Sequence, residues 1–265
     1  MPAPHKARKR FGQNFLHDTR ALHRIVAALD LSPEDHVVEI GPGKGALTRF
    51  LLPACRRLDV VEIDRDLVTH LEARFAGHDH LHIHSQDALR FDFAALGRGL
   101  KIVGNLPYNI STPLLFHLFR FKDVTDIMVF MLQKEVVDRL AAAPGDKRYG
   151  RLSVMAQYHC HVEKRFTVKP EAFRPRPRVM SAVVRLHPHR TPPVDVGDYR
   201  TFETLVARAF GQRRKTLRNA LRNMAAEETI RACAIDPGAR AETLPLDAFA
   251  RLSRALGDSV QPATA

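Results

Sequence analysis

The stretch Val37-Val38-Glu39-Ile40-Gly41-Pro42-Gly43-Lys44-Gly45-Ala46-Leu47-Thr48 decides the fold: a short apolar run breaks into a glycine-rich turn and resumes as a helical pattern. It reads as strand, loop, helix. Glycines at 41, 43 and 45 let the backbone turn sharply and approach a ligand with no Cβ between, and the helix that follows is expected to offer unpaired N–H groups. A nucleoside cofactor fits such a loop. Gly41, Gly43 and Ala46 also satisfy the dinucleotide spacing G-x-G-x-x-G/A, so the loop alone leaves a nicotinamide enzyme and a methyltransferase both open. A phosphate-cradling Walker loop fits worse, because Gly45 follows Lys44 where that motif needs Ser or Thr.

Working outward, Asp18 can cap a helix carrying Leu22, Ile25, Val26 and Leu29 on one face. Strands are expected near 36–40, 57–63, 81–84, 100–104 and 125–132, with helical patterns between them. Such alternation predicts an α/β, Rossmann-like unit with a mostly parallel sheet and helices on both faces. Residues 161–186 read as two further strands around a Pro/Arg insertion. The run His187-Pro188-His189-Arg190-Thr191-Pro192-Pro193 cannot continue a strand or helix, so a boundary is expected there: 1–190 as the α/β domain with a basic arm, and 191–265 as a small all-α domain.

With 265 residues the chain can bury a full core, and no apolar run reaches bilayer-spanning length, so no membrane partner is expected. The three cysteines, Cys55, Cys160 and Cys233, lie outside any C-x-x-C pattern, which suits a reducing, cytoplasmic setting and argues against a zinc site. The net charge of +12 is collected in patches. Windows 1–20, 161–190 and 205–222 together carry +16, leaving the remainder at −4. Clustered arginines are the footprint of a polyanion binder. No acid falls between 204 and 226, so Arg213, Arg214, Lys215 and Arg218 are expected to meet a phosphate backbone, and Arg174, Arg176 and Arg178 form a second basic cluster. His78, His80, His82 and His84 alternate at period two, but adjacent strand positions alone cannot close a coordination shell, so no metal is expected.

In a doubly wound sheet, ligands bind beyond the carboxyl ends of the strands. Glu62 ends the second strand, 21 residues after Gly41, where a carboxylate can accept both hydroxyls of a ribose. Asp87 follows the third strand and could accept from an adenine amino group. The fourth strand runs into Asn105-Leu106-Pro107-Tyr108. The Asn105 side-chain carbonyl and the Leu106 backbone carbonyl can accept the two hydrogens of an exocyclic amine, Pro107 stiffens the turn, and Tyr108 can stack on a base. An adenine amine so held would keep its lone pair for an electrophilic methyl, leaving positioning and electrostatics as the main catalytic demands.

These motifs resemble the ribosomal RNA adenine N6-dimethyltransferases, most closely the bacterial small-subunit branch. The matching segments are Gly12 to Leu16, Glu39 to Thr48, Val61 to Asp64, Gln86 to Leu89, Asn105 to Ser111, Leu132 to Val136, Phe173 to Ser181 and Phe210 to Asn219. The resemblance covers nearly the whole chain. It implies S-adenosylmethionine as cofactor, with S-adenosylhomocysteine as product, held at Asn14, Leu16, Gly41, Glu62, Asp87 and Asn105. It also implies the target, two adjacent adenosines in a hairpin loop near the 3′ end of 16S rRNA, each dimethylated by a cytoplasmic, monomeric enzyme linked to small-subunit biogenesis. The family's second aromatic falls on Phe173, expected on the opposite face of a flipped base from Tyr108, since the Arg and Pro residues that follow argue against a packed interior. Three alternatives stay open: the large-subunit dimethylase of macrolide-resistance type, an assembly factor that binds pre-rRNA with methylation secondary, and a nicotinamide oxidoreductase. The Phe210 to Asn219 segment favours the small-subunit branch over the first, and the basic patches disfavour the last.

Overall fold

The computed structural model describes residues 14–212 and 214–258. Gly12, Gln13 and Arg213 therefore lie outside the described residues. The elements run β1 Phe15–Leu16, α1 Thr19–Leu29, β2 His36–Ile40, α2 Thr48–Leu51, β3 Arg57–Glu62, α3 Arg65–Arg74, β4 Leu81–Ser85, β5 Leu100–Asn105, α4 Ser111–Phe119, β6 Thr125–Gln133, α5 Lys134–Leu140, α6 Arg151–His159, β7 Cys160–Val168, β8 Phe173–Arg174 and β9 Ser181–Pro188. Then follow α7 Tyr199–Gly211, α8 Leu217–Ala220, α9 Glu227–Ala232 and α10 Leu246–Asp258.

A seven-stranded sheet has the order β4-β3-β2-β5-β6-β9-β7. Strands β4 to β6 are parallel along that order, and β9 joins β6 antiparallel. β2 is central and every residue in it is buried, as a strand covered on both faces must be. The connections lead one way from β2 to β3 and β4, and the other way from β5 to β6, so the sequence order reverses between β2 and β5. Ligand crevices of doubly wound sheets open at that reversal, beyond the strand carboxyl ends. The two strands approach closely there: a Cβ on Gly104 would lie 2.6 Å from the Ile40 carbonyl oxygen.

The periodicity of α1 is realised, with Asp18 accepting from the Ala21 N–H at 2.9 Å and Leu22, Ile25 and Leu29 buried against the sheet. Their core continues through Val37, Leu58, Val60, Val103, Val129 and Val183. At the sheet edge, β4 buries little. His84, and His36 of β2, each place Nε2 2.6 Å from a carboxylate oxygen of Asp59, which also receives Arg57 Nε at 2.7 Å. Despite desolvation, hydrogen bonds from His36, Arg57 and His84, together with the Arg57 charge, hold the fully buried Asp59 carboxyl well below the usual carboxylate range. His78 and His80 meet the carbonyls of Phe75 and Leu52, so three of the alternating histidines serve local packing.

The chain forms two compact units. One runs through Val137 and resumes at His161–Pro188; the other comprises Asp138–Cys160 and the residues from His189 onward. The expected cut after 190 falls beside the second crossing, but α6, which periodicity did not reveal, groups with the later helices. In that unit α7 packs on α10, Phe210 lies between the rings of Tyr149 and Phe249, and Tyr158 stacks on Tyr199 at 5.9 Å.

Candidate active site

At the reversal point the first unit holds a cavity of about 410 Å³ lined by the glycine loop, Glu39, Glu62, Ile63, Asp87, Asn105 to Ile110 and the segment Asn14 to His17. All the cofactor positions expected from sequence, namely Asn14, Leu16, Gly41, Glu62, Asp87 and Asn105, line it, as do Leu106 and Tyr108.

The glycine loop makes the sharp turn expected of it, and its glycine amides are satisfied within the protein. Gly41 N–H donates to the Val61 carbonyl at 2.9 Å, Gly43 N–H to Glu62 Oε2 at 3.3 Å and Gly45 N–H to the Pro42 carbonyl at 2.9 Å. All three glycines have φ between +57° and +74°, and a Cβ at Gly45 would sit 2.5 Å from the Phe75 ring. The loop's glycines thus serve chain reversal and close packing. α2 is a single turn, so the expected helix N-terminus is short as well. A pyrophosphate would find three loop amides already used.

Glu39 and Glu62 are buried, 2 % and 6 % exposed. Burial raises the Glu39 carboxyl to about 8; the Thr48 hydroxyl, donating at 2.6 Å, opposes the rise and the neighbouring Glu62 adds to it. Burial likewise raises Glu62, against the pull of N–H donors from Asp64 at 3.0 Å and Gly43. Asp87 spends one oxygen on the Leu89 N–H at 3.0 Å. The pocket is rich in acceptors and suits hydroxyls and cationic groups.

Asn105, the last residue of β5, donates its side-chain N–H to the Asn14 backbone carbonyl at 2.9 Å. That bond fixes the amide, and the side-chain oxygen is left without a partner among the described residues. Leu106 anchors the turn by donating its N–H to the Met131 carbonyl at 3.1 Å. Tyr108 is half-buried, with its hydroxyl 2.6 Å from Ser181 Oγ. Phe173 departs from expectation. It pairs with Leu16 in a two-stranded ribbon formed by β1 and β8, is 2 % exposed, belongs to the main core and does not line the cavity. Strand alternation turns it inward while Arg174 stays exposed, so the Arg/Pro neighbours were a poor guide to where the ring goes.

Residues 4–258 match the ribosomal RNA adenine dimethylase family. The chain belongs to that family. Among similar members, the ribosomal RNA small subunit methyltransferase A of Pseudomonas fluorescens is 53% identical over 98% of this chain and 97% of its own. Its counterpart in Methylococcus capsulatus is 56% identical over 95% and 98%. Among solved structures, a dimethyladenosine transferase from Plasmodium falciparum superposes with a TM-score of 0.80 at 25% identity, covering 92% of this chain and 98% of that one. The 23S rRNA methyltransferase ErmE gives 0.73 at 25% identity, covering 92% and 100%.

Within this dimethylase, sequence reading passed over three residues of interest. Ile63 is 48 % exposed and lines the cavity directly after Glu62, an anomaly for a branched apolar residue at a strand end. Glu39 belongs to the loop motif, and its burial is a tertiary property that the sequence does not display. Ser181 lay in a matching segment, and only the Tyr108 contact singles it out.

The basic residues fall on exposed surface. Arg174, Arg176 and Arg178 are exposed between β8 and β9, with Arg176 paired to Glu171. In the second unit Arg214, Lys215 and Arg222 are exposed and form no ion pair among the described residues, whereas Arg218 reaches Glu227 at 4.0 Å. A second cavity, about 500 Å³, lies beside α1 in the first unit and is lined by Arg20, Arg24 and Lys169, with the Arg24 guanidinium 3.6 Å from the centre of the Phe166 ring. Among the described residues no helix is long and apolar enough to cross a membrane.

Proposed function

We propose that the protein transfers methyl groups from S-adenosylmethionine to the N6 amines of two adjacent adenosines in small-subunit rRNA, near the 3′ end of 16S rRNA, dimethylating each. The observation that carries this reading is Asn105: its amide nitrogen is tied to Asn14, which leaves its oxygen as an acceptor at the wall of the cavity. The names and near-complete coverage of the relatives support the small subunit over the large one.

The residues present fit the cofactor. Loop amides satisfied within the protein and the acidic side chains of Glu62 and Asp87 at the cavity wall disfavour a pyrophosphate and favour a ligand with ribose hydroxyls and a net positive end. Glu62 would hold the ribose, Asp87 and Ile63 the adenine, and Asn14, Leu16 and Gly41 the amino-acid end. When bound, S-adenosylmethionine supplies an electrophilic methyl on a sulfonium.

Asn105 and the Leu106 carbonyl accept the N–H hydrogens of the target amine, which keeps the nitrogen lone pair out of the purine ring and directs it at the methyl. The positive charge that would build on that nitrogen, as the methyl's bond to nitrogen replaces its bond to sulfur, would be stabilised by the same two acceptors until one amine proton leaves to water. Tyr108 stacks on the base, which must leave its helical stack to enter. Phe173, buried in the core, has no part in that stacking in this arrangement. Arg174, Arg176, Arg178, the groove beside α1, and Arg213, Arg214, Lys215 and Arg218 supply phosphate contacts. The enzyme acts in the cytoplasm as a monomer on the assembling small subunit.

The test is incubation with methyl-labelled S-adenosylmethionine and unmodified small or large subunits. Label in small-subunit rRNA supports the reading, and label confined to large subunits would move the protein to the other branch.

A further inference from the structure

Tyr108 stands in the turn after β5, and the only hydrogen bond its hydroxyl makes among the described residues is to Ser181 Oγ, at 2.6 Å. Ser181 is fully buried and is held from two sides. It faces Gln133 in the antiparallel register of β6 with β9, and the preceding carbonyl, that of Met180, accepts the Lys134 N–H at 2.9 Å. At the other end of the tyrosine, the backbone carbonyl accepts from Ser111 Oγ at 3.1 Å. No other aromatic ring lies against Tyr108 among the described residues. The phenol is therefore fixed at its backbone and at its tip, with no aromatic neighbour on its ring.

We propose that Ser181 is a positioning residue for methyl transfer: its hydroxyl holds the Tyr108 ring in the attitude that stacks on the target adenine, so that Tyr108 works as a ring and not as a proton acceptor. This rests on the reading above that the base enters beside Tyr108. Without the bond, rotation about the Cα–Cβ bond would let a half-buried ring leave the base for solvent. Burial also keeps the phenol protonated to higher pH than a free tyrosine, which agrees with a role for the ring alone. The arrangement ties the base platform to β9, the strand that follows the exposed Arg174, Arg176 and Arg178, so the ring is set by the strand into which the basic segment leads.

Single-turnover transfer into unmodified small subunits would be compared for the wild type, Ser181→Ala, Tyr108→Phe, the double variant and Tyr108→Ala, with cofactor affinity measured by calorimetry. Loss of one neutral hydrogen bond predicts a fall of about three- to tenfold in rate for Ser181→Ala and for Tyr108→Phe. The double variant should lose no more than either single one, because both remove the same bond. Cofactor affinity should be unchanged, and Tyr108→Phe should keep the shape of the wild-type pH–rate profile. Multiplying losses in the double variant, a wild-type rate in Ser181→Ala, or a basic limb that vanishes in Tyr108→Phe would each overturn the proposal. Should Ser181→Ala fail to fold, Tyr108→Phe removes the same bond from the other end and carries the rate and pH tests alone. A full rate in Tyr108→Ala would instead remove the reading that the base stacks on this ring.

Discussion

The role expected of Asn105 rests on its neighbours in sequence, an amide followed by a rigid Leu-Pro-Tyr turn at a strand end, and the structure brings that amide to the cavity wall. What could not be read is the bond to Asn14, 91 residues away, which decides which amide atom remains as the acceptor. Asn105→Ala is expected to lower transfer roughly ten- to a hundredfold, the cost of about 1 to 3 kcal/mol for a lost buried acceptor, while cofactor affinity changes little. Single-turnover rates beside calorimetric titrations check this, and wild-type turnover would remove Asn105 from the chemistry. Glu39 gives a second test at this scale. With its carboxyl raised to about 8 by burial, the folded state keeps a proton that the unfolded chain releases above about 4.5. Its stabilising contribution is complete below the unfolded value and is lost as pH rises through the folded one. Glu39→Gln keeps an acceptor for Thr48 and cannot ionise. Relative to it, wild type should lose stability between pH 5 and 8, by up to about 1.4 kcal/mol per pH unit, in denaturant titrations. A stability difference that stays flat over this range would mean Glu39 ionises normally.

Elements followed the sequence where a single period governs them. The five parallel strands stand within a residue or so of their expected positions, because β2 and its neighbours are buried runs bounded by turns. Short or mixed elements escaped: α6 carries apolar residues on several faces, and the β1–β8 ribbon is only two residues deep on each side. The ribbon matters most, since it converts Phe173 from an expected base contact into a core residue. Phe173→Ala should therefore destabilise the protein by about 3 to 5 kcal/mol. Thermal and denaturant melts decide it. Unaltered stability with lost transfer would restore the ring to the base. In β3, Asp59→Asn should cost about 1 to 3 kcal/mol at neutral pH, because His36, Arg57 and His84 lose the buried carboxylate they share while the Arg57 guanidinium keeps contact with water. A loss under about 1 kcal/mol would show the cluster to be no stronger than a surface ion pair.

For the whole molecule, the charge pattern was legible in composition, since patches of arginine without acids need no structure to be noticed. The grouping of residues 138–160 with the later helices was not, because it depends on which helices pack together and not on order along the chain. Replacing Arg214, Lys215 and Arg222 by Ala should flatten the dependence of log rRNA affinity on log salt by about 2 to 3, at roughly 0.7 to 0.9 per phosphate contact, and leave cofactor binding alone. An unchanged slope would place docking on the first unit's arginines. The identity of the product is decided by mass analysis of nuclease fragments of 16S rRNA after reaction. Four added methyl groups are expected on one fragment containing two adjacent adenosines, released on digestion as N6,N6-dimethyladenosine. Methyl groups on another base, on scattered adenosines or only on large-subunit rRNA would contradict that expectation.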